Sequence, residues 1–187
     1  LSSDGNTVAI GAYGNDGNGS YAGHVRIYEN IGGSWSQIGQ DIDGEAADDY
    51  SGQSVSLSSD GNTIAIGAKT NDAIGSNSGH VRVYEYIGGN WIQIGQDIDG
   101  EAAGDYSGSV ALSDTGALVV GAIYNDGNGV NSGHIRLYDL YSSPNCAGCT
   151  DSLAINFDSS VFFDDGSCLY CDLTNTFLIS QNSTGNC

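Results

Sequence analysis

One block of about 55 residues is written three times along this chain, and self-similarity at that period restricts the fold to a solenoid, a propeller or an array. Leu57-Ser58-Ser59-Asp60-Gly61-Asn62-Thr63 copies Leu1-Ser2-Ser3-Asp4-Gly5-Asn6-Thr7. Gly79-His80-Val81-Arg82-Val83-Tyr84-Glu85 copies Gly23-His24-Val25-Arg26-Ile27-Tyr28-Glu29. A third copy follows as Leu112-Ser113-Asp114-Thr115-Gly116 and Gly133-His134-Ile135-Arg136-Leu137-Tyr138-Asp139.

Each unit carries four short runs in which apolar residues alternate with polar ones, the period of half-buried strands. In the second unit they are Ser54–Ser58, Thr63–Ala68, His80–Glu85 and Asn90–Gln96, and no stretch has a helical period. Asp60-Gly61 and Gly88-Gly89 are tight-turn dipeptides, with Asp-Gly expected to supply positive φ in the first hairpin. Gly makes up 29 of the 187 residues and Pro only one, which fits many tight turns rather than a flexible linker. The expectation is an all-β chain of β-propeller blades: four-stranded antiparallel repeats, three visible, the third lacking its last strand and the ring incomplete. The units span 1–56, 57–111 and 112–141, followed by a Cys-rich acidic linker at 142–170 and the start of a further β module at 171–187. The chain opens inside a repeat and contains no Met, so it reads as a fragment with further blades expected upstream.

Residues 49–68 and their repeats also carry a resemblance. Asp49-Tyr50-Ser51-Gly52-Gln53-Ser54-Val55-Ser56, followed by Ile64-Ala65-Ile66-Gly67-Ala68, resembles the FG-GAP repeat of the integrin α-subunit propeller. That family has Phe-Gly in the first strand and Gly-Ala-Pro at the end of the second. This chain has Ser51-Gly52 and Ser107-Gly108, then Gly11-Ala12-Tyr13, Gly67-Ala68-Lys69 and Gly121-Ala122-Ile123. The resemblance covers about residues 1–141 and implies a propeller of about seven blades used in adhesion or recognition. Its calcium-binding members carry an Asp-rich loop between the first two strands. Here that stretch is only Ser-Ser-Asp-Gly-Asn-Thr, too short to wrap a cation that needs six to eight oxygens, so Asp4, Asp60 and Asp114 are read as turn residues.

Charge narrows the partners. The chain has 23 acidic residues against four basic ones (Arg26, Lys69, Arg82 and Arg136), a net charge of −19. Nucleic acid and anionic membranes are excluded as partners, because both need Lys and Arg to displace counterions. A divalent cation such as calcium, or a solvated acidic surface, fits instead.

Three repeated constellations are candidate chemistry. Asn15-Asp16, Asn71-Asp72 and Asn125-Asp126 lie in the loops between second and third strands, as weak calcium ligands or as Asx turns. Asp41-Ile42-Asp43-Gly44-Glu45 and Asp97-Ile98-Asp99-Gly100-Glu101 read as solvated turns between blades. His24, His80 and His134 recur at one strand position, which propeller symmetry spreads around the ring rather than onto one metal, so they are given a role in the repeat. Trp35 and Trp91 are assigned to packing between blades, with a sugar platform as the lesser reading. No nucleophile elbow or phosphate loop is written, and no catalytic residue is assigned.

All five cysteines fall in the tail: Cys146, Cys149, Cys168, Cys171 and Cys187. A Cys-dense module beside a Cys-free domain fits an oxidising compartment. A Cys149–Cys168 disulfide would close a loop holding Asp151, Asn156, Asp158, Asp164 and Asp165, a set that repels itself unless a cation, calcium by the ligand type, sits among it. Cys171–Cys187 is a second candidate pair, and a Cys₄ zinc site from Cys146, Cys149, Cys168 and Cys171 is the alternative. The Cys-Thr-Asp…Asp-Asp-Gly-Ser-Cys stretch resembles a short repeat of secreted surface proteins of marine Bacteroidetes, which implies export and a spacer role.

The resulting expectation is a non-catalytic, secreted or cell-surface binding module presenting loops to an extracellular protein or glycan. The alternative is an accessory region of an exported hydrolase whose catalytic domain lies outside this sequence.

Overall fold

The computed structural model describes residues 1–140 together with the two-residue strands Ala147–Gly148 and Phe163–Asp164. Leu1–Tyr138 forms one compact unit and Asp139–Cys187 a second. Among the described residues every element is a strand, so no helix is long and apolar enough to cross a membrane.

The first unit is three antiparallel sheets, the blades expected from the repeat. The first sheet orders β1 (Thr7–Ala12), β2 (His24–Ile31) and β3 (Ser34–Gln37), with β4 (Ile42–Asp43) also on β2. The second, complete sheet is the meander β5 (Ser54–Leu57), β6 (Thr63–Ala68), β7 (His80–Ile87) and β8 (Asn90–Gln93), with β9 (Ile98–Asp99) also on β7. The third has β10 (Ser107–Leu112), β11 (Ala117–Ala122) and β12 (His134–Asp139). In the second unit β13 (Ala147–Gly148) pairs in parallel with β14 (Phe163–Asp164).

Register repeats with the sequence: Gly11 lies opposite Val25 in the first sheet, as Gly67 lies opposite Val81 in the second. The middle sheet has neighbours on both faces, so every residue of β6 is buried. The core between the first two sheets is Val25, Ile27, Ile42, Ile64, Ile66, Tyr84 and Trp91. The apolar positions of β12 that correspond to buried Val81 and Val83, namely Ile135 and Leu137, are exposed. Strand alternation thus gave the faces, while burial depends on whether a neighbouring sheet covers them.

The sheets are held together by the residues that give each unit its signature. A methyl group on Gly67 would overlap the carbonyl oxygen of Gly108, and one on Gly11 would overlap that of Gly52. The Gly of Gly-Ala therefore lets one blade touch the backbone of the next at its Ser-Gly step. Beside that contact the N–H groups of Val110 and Leu112 donate to Ser54 Oγ and Ser56 Oγ at 3.0 and 2.9 Å. Those hydroxyls satisfy the free edge of β10, where unpaired donors would otherwise be buried.

Two expectations need correction. Asp60 does not take positive φ; only Gly61 does, at 76°. The Asp60 carboxylate instead closes the turn, its Oδ1 accepting from Ser58 Oγ at 2.6 Å and from the Asn62 N–H at 3.0 Å. Asp4 does the same with Ser2 and Asn6, and Asp114 accepts a hydrogen bond from Ser59 Oγ. The second correction concerns the Asp-x-Asp-Gly-Glu segments, which are not solvated turns. Each contains a short strand, β4 or β9, paired to the start of the third strand of its blade, with Ile42 buried. Pairing there is possible because β3 and β8 are short and leave the first residues of β2 and β7 without a partner on that side.

Candidate functional site

Antiparallel connection places two kinds of segment at the same end of the blades: the loops from second to third strand and the connections to the next blade. They run side by side. The N–H groups of Asp48, Tyr50 and Ser51 donate to the carbonyls of Ser20, Tyr21 and Ala22 at 2.8, 3.0 and 2.9 Å. Those of Gly104, Tyr106 and Ser107 donate to Ser76, Asn77 and Ser78 at 2.9, 3.0 and 3.0 Å.

The Asn-Asp pairs shape these loops. The Asn15, Asn71 and Asn125 side-chain oxygens accept from the N–H groups of Gly17, Ala73 and Gly127 at 2.8, 2.9 and 2.9 Å. Asp16, Asp72 and Asp126 accept through Oδ1 from Tyr21, Asn77 and Asn131 at 2.8, 2.7 and 2.6 Å. The Asn71 and Asn125 amides also donate to Asp49 and Asp105 in the adjoining connection, at 3.1 and 2.8 Å. The pairs therefore stand one per blade, each engaged in closing its own loop as Asx-turn chemistry predicts.

Sequence reasoning passed over the boundary between the first two blades. His80 opens β7 and is fully buried, and neither ring nitrogen has a hydrogen-bond partner. Its Nδ1 stands 3.7 Å from Glu45 Oε2, contributed by the preceding blade, and 3.6 Å from Asp97 Oδ2, contributed by its own. One ligand atom from each of the three residues lies within 4.8 Å of the other two. The remaining carboxylate oxygens have other partners: Glu45 Oε1 is 3.5 Å from Arg82 Nη1, and Asp97 Oδ1 accepts from Gln93 Nε2 at 2.7 Å. Burial, with Arg82 adding to it, holds the His80 pKa below the ordinary histidine value despite the carboxylates of Asp97, Glu45 and Asp49. The ring is therefore neutral at pH 7.

The other histidines repeat the motif in part. His24 Nδ1 lies 3.8 Å from both Asp41 and Asp43. Both Asp41 oxygens, however, are engaged by Arg26, whose Nε and Nη2 reach them at 2.7 to 3.0 Å, and Gln37 donates to one of them. That fork holds the Asp41 pKa down at about 2. His134 lies 3.3 Å from Glu101 and is part exposed. Each histidine thus faces acids of its own boundary, and the three do not converge.

The same end carries a tyrosine cluster that repeats only in part: Tyr50 recurs as Tyr106, whereas Tyr13 and Tyr21 give way to Lys69 and Asn77 in the second blade. Tyr21 stacks on Tyr50 with ring centroids 5.4 Å apart, and Tyr13 lies 6.2 Å from Tyr50. Tyr13 and Tyr21 are half exposed. Tyr21 and Tyr50 hold left-handed backbone, at φ 53° and 54°. Trp91 is buried between blades, its Nε1 donating to the Ile38 carbonyl at 3.0 Å, while Trp35 is half exposed.

Asp151, Asn156, Asp158 and Asp165, the cysteine pairs Cys149–Cys168 and Cys171–Cys187, and Cys146 lie outside the described residues. Asp164 lies in β14, in register with Gly148.

Sheets of this kind, repeated and packed face to face with loops gathered at one end, define a β-propeller-type binding module. The family model described as FG-GAP repeat matches residues 42–84 and 97–138, so these two stretches are similar to FG-GAP repeats. No curated protein matches the chain.

Proposed function

We propose that the chain is a non-catalytic extracellular adhesion module whose blade-end loops bind a protein or glycan partner. The observation that carries this reading is the Tyr13, Tyr21 and Tyr50 cluster. Three neighbouring aromatic rings, inclined to one another by 21° and 32° and part exposed, form a cluster of the type of anchor that dominates recognition surfaces. In the second blade Lys69 and Asn77 stand in place of Tyr13 and Tyr21, so these two tyrosines are not required by the fold, while Tyr50 recurs as Tyr106. The acidic charge favours a neutral or basic partner over a polyanion. The tail is proposed as a spacer, stiffened by calcium on Asp151, Asn156, Asp158, Asp164 and Asp165 and by its disulfides.

A panel of neutral oligosaccharides and extracellular-matrix proteins, tested against the chain and its Tyr21→Ala and Tyr50→Ala variants, checks the reading. The expected outcome is a bound member of either class, weakened tenfold or more by each variant while thermal unfolding stays within about 2 °C. Binding that ignores both substitutions would remove the tyrosine surface from the proposal.

A further inference from the structure

We propose that Glu45, His80 and Asp97 bind one first-row divalent transition-metal ion of the Zn²⁺ class, as a clip across the boundary between the first two blades. The site is independent of the tyrosine surface and of the acidic tail. Its ligand set is one imidazole nitrogen and two carboxylate oxygens, which suits zinc, cobalt or nickel rather than calcium, whose ligands are all oxygens.

Three features point to an ion rather than to a simple acidic cluster. First, His80 is fully buried and its nitrogens have no hydrogen-bond partner, an unfavourable arrangement for a polar ring. Second, Nδ1 faces the two carboxylates at 3.6 and 3.7 Å. That is longer than a hydrogen bond and close to the spacing of neighbouring ligands around an ion with bonds of about 2.0–2.2 Å. Third, each acid uses one oxygen elsewhere, Glu45 on Arg82 and Asp97 on Gln93, and turns the other toward His80. Carboxylates oriented in this way are what a second shell provides. Arg82 offsets part of the local negative charge, while Asp49 adds to it.

Among the described residues this is the boundary at which acids from two consecutive blades face one histidine. At His24 the equivalent of Asp97 is Asp41, which is engaged by Arg26 on both oxygens. At His134 the equivalent of Glu45 is Glu101, and among the described residues no second acid joins it.

Cobalt(II) is the probe, because it accepts the same ligands and reports them optically. Nitrogen and oxygen ligation gives a weak visible band, whereas binding by the tail cysteines would add intense thiolate absorption in the near ultraviolet. The full chain should take up Co²⁺ with the nitrogen–oxygen signature and release it to Zn²⁺. Glu45→Gln and Asp97→Asn should each weaken binding tenfold or more while thermal unfolding without metal stays within a few degrees, since Glu45 is exposed, Asp97 part exposed and both substitutions keep the side chain's shape. His80→Gln should abolish the signal, and Glu101→Gln, the same position one blade on, should leave it unchanged. The proposal is overturned by no Co²⁺ uptake, by a thiolate signature alone, or by a nitrogen–oxygen signal that survives both carboxylate variants.

Discussion

Replacing Gly67 by Ala tests the packing of blade on blade most directly. The added methyl would overlap the Gly108 carbonyl oxygen and stand 2.7 Å from its carbonyl carbon and 3.1 Å from its Cα. All three are backbone atoms, so no side chain can swing aside. Relief to an ordinary contact of about 3.5 Å requires the methyl and the Gly108 carbonyl to move apart by more than about 1 Å. That movement also stretches the bonds from the Val110 and Leu112 N–H groups to Ser54 and Ser56. Overpacking of this kind costs about 1–3 kcal/mol, and weakening two edge hydrogen bonds adds about 1 kcal/mol.

Gly121 is the matched control, because it holds the same place in the Gly-Ala step of the third blade. Among the described residues a methyl there meets only Ser109, its Cβ at 3.3 Å, and Gly121 does not have positive φ. Gly121→Ala should therefore be near neutral, with the reduced freedom of the unfolded chain contributing about 0.4–1 kcal/mol in its favour. The two variants should differ by about 3 kcal/mol, or roughly 6–12 °C in Tm for a domain of this size. Thermal unfolding followed by far-ultraviolet circular dichroism measures it, with Gly11→Ala as a second instance of the Gly67 effect. If Gly67→Ala and Gly121→Ala melt within about 2 °C of each other, the close backbone contact is not what these glycines serve.

Trp91→Ala should destabilise by about 3–5 kcal/mol, since it empties a core position and leaves the Ile38 carbonyl unpaired, whereas Trp35→Ala should stay within about 0.5 kcal/mol; urea unfolding of both compares them. Arg26→Gln should destabilise measurably at pH 7 and much less at pH 2, where Asp41 is half protonated. The Asp41 pKa is depressed in the folded state, from 3.8 to about 2, so the pair's contribution is complete above the unfolded value and disappears as pH falls through the folded one. Stability curves of wild type and Arg26→Gln that stay parallel down to pH 2 would contradict this, and added salt should shrink the gap at pH 7.

Much of the fold was legible because period-two alternation and turn dipeptides are local signals. Thr63–Ala68 is a strand over its whole expected length, and Gly88-Gly89 makes the expected positive-φ turn at 59° and 90°. Burial was less legible, because Val81 and Ile135 occupy the same place in the repeat and differ only in whether another sheet covers them. Asp41–Glu45 was misread because its polar residues suggest a turn, and only the short length of β3 shows that β2 has a free edge for Ile42–Asp43 to pair with.

The candidate site was missed for a reason built into repeats. Reading unit by unit, a histidine found in every copy looks like part of the scaffold, and symmetry keeps the copies apart. Symmetry does not keep a histidine away from acids at other positions of the repeat. Glu45, His80 and Asp97 together span nearly one full period, so the sequence of a single unit never shows them as neighbours. They meet because the connection after β4 crosses to the next blade, and β9 folds back onto the start of β7. Differences between the copies then decide the chemistry. Arg26 closes on Asp41, while the equivalent Arg82 reaches back to the Asp43 carbonyl at 2.7 Å and to Glu45, leaving Asp97 free to face His80. A position shared by every copy can therefore face acids that only two consecutive copies together supply, and reading one unit at a time does not reveal them.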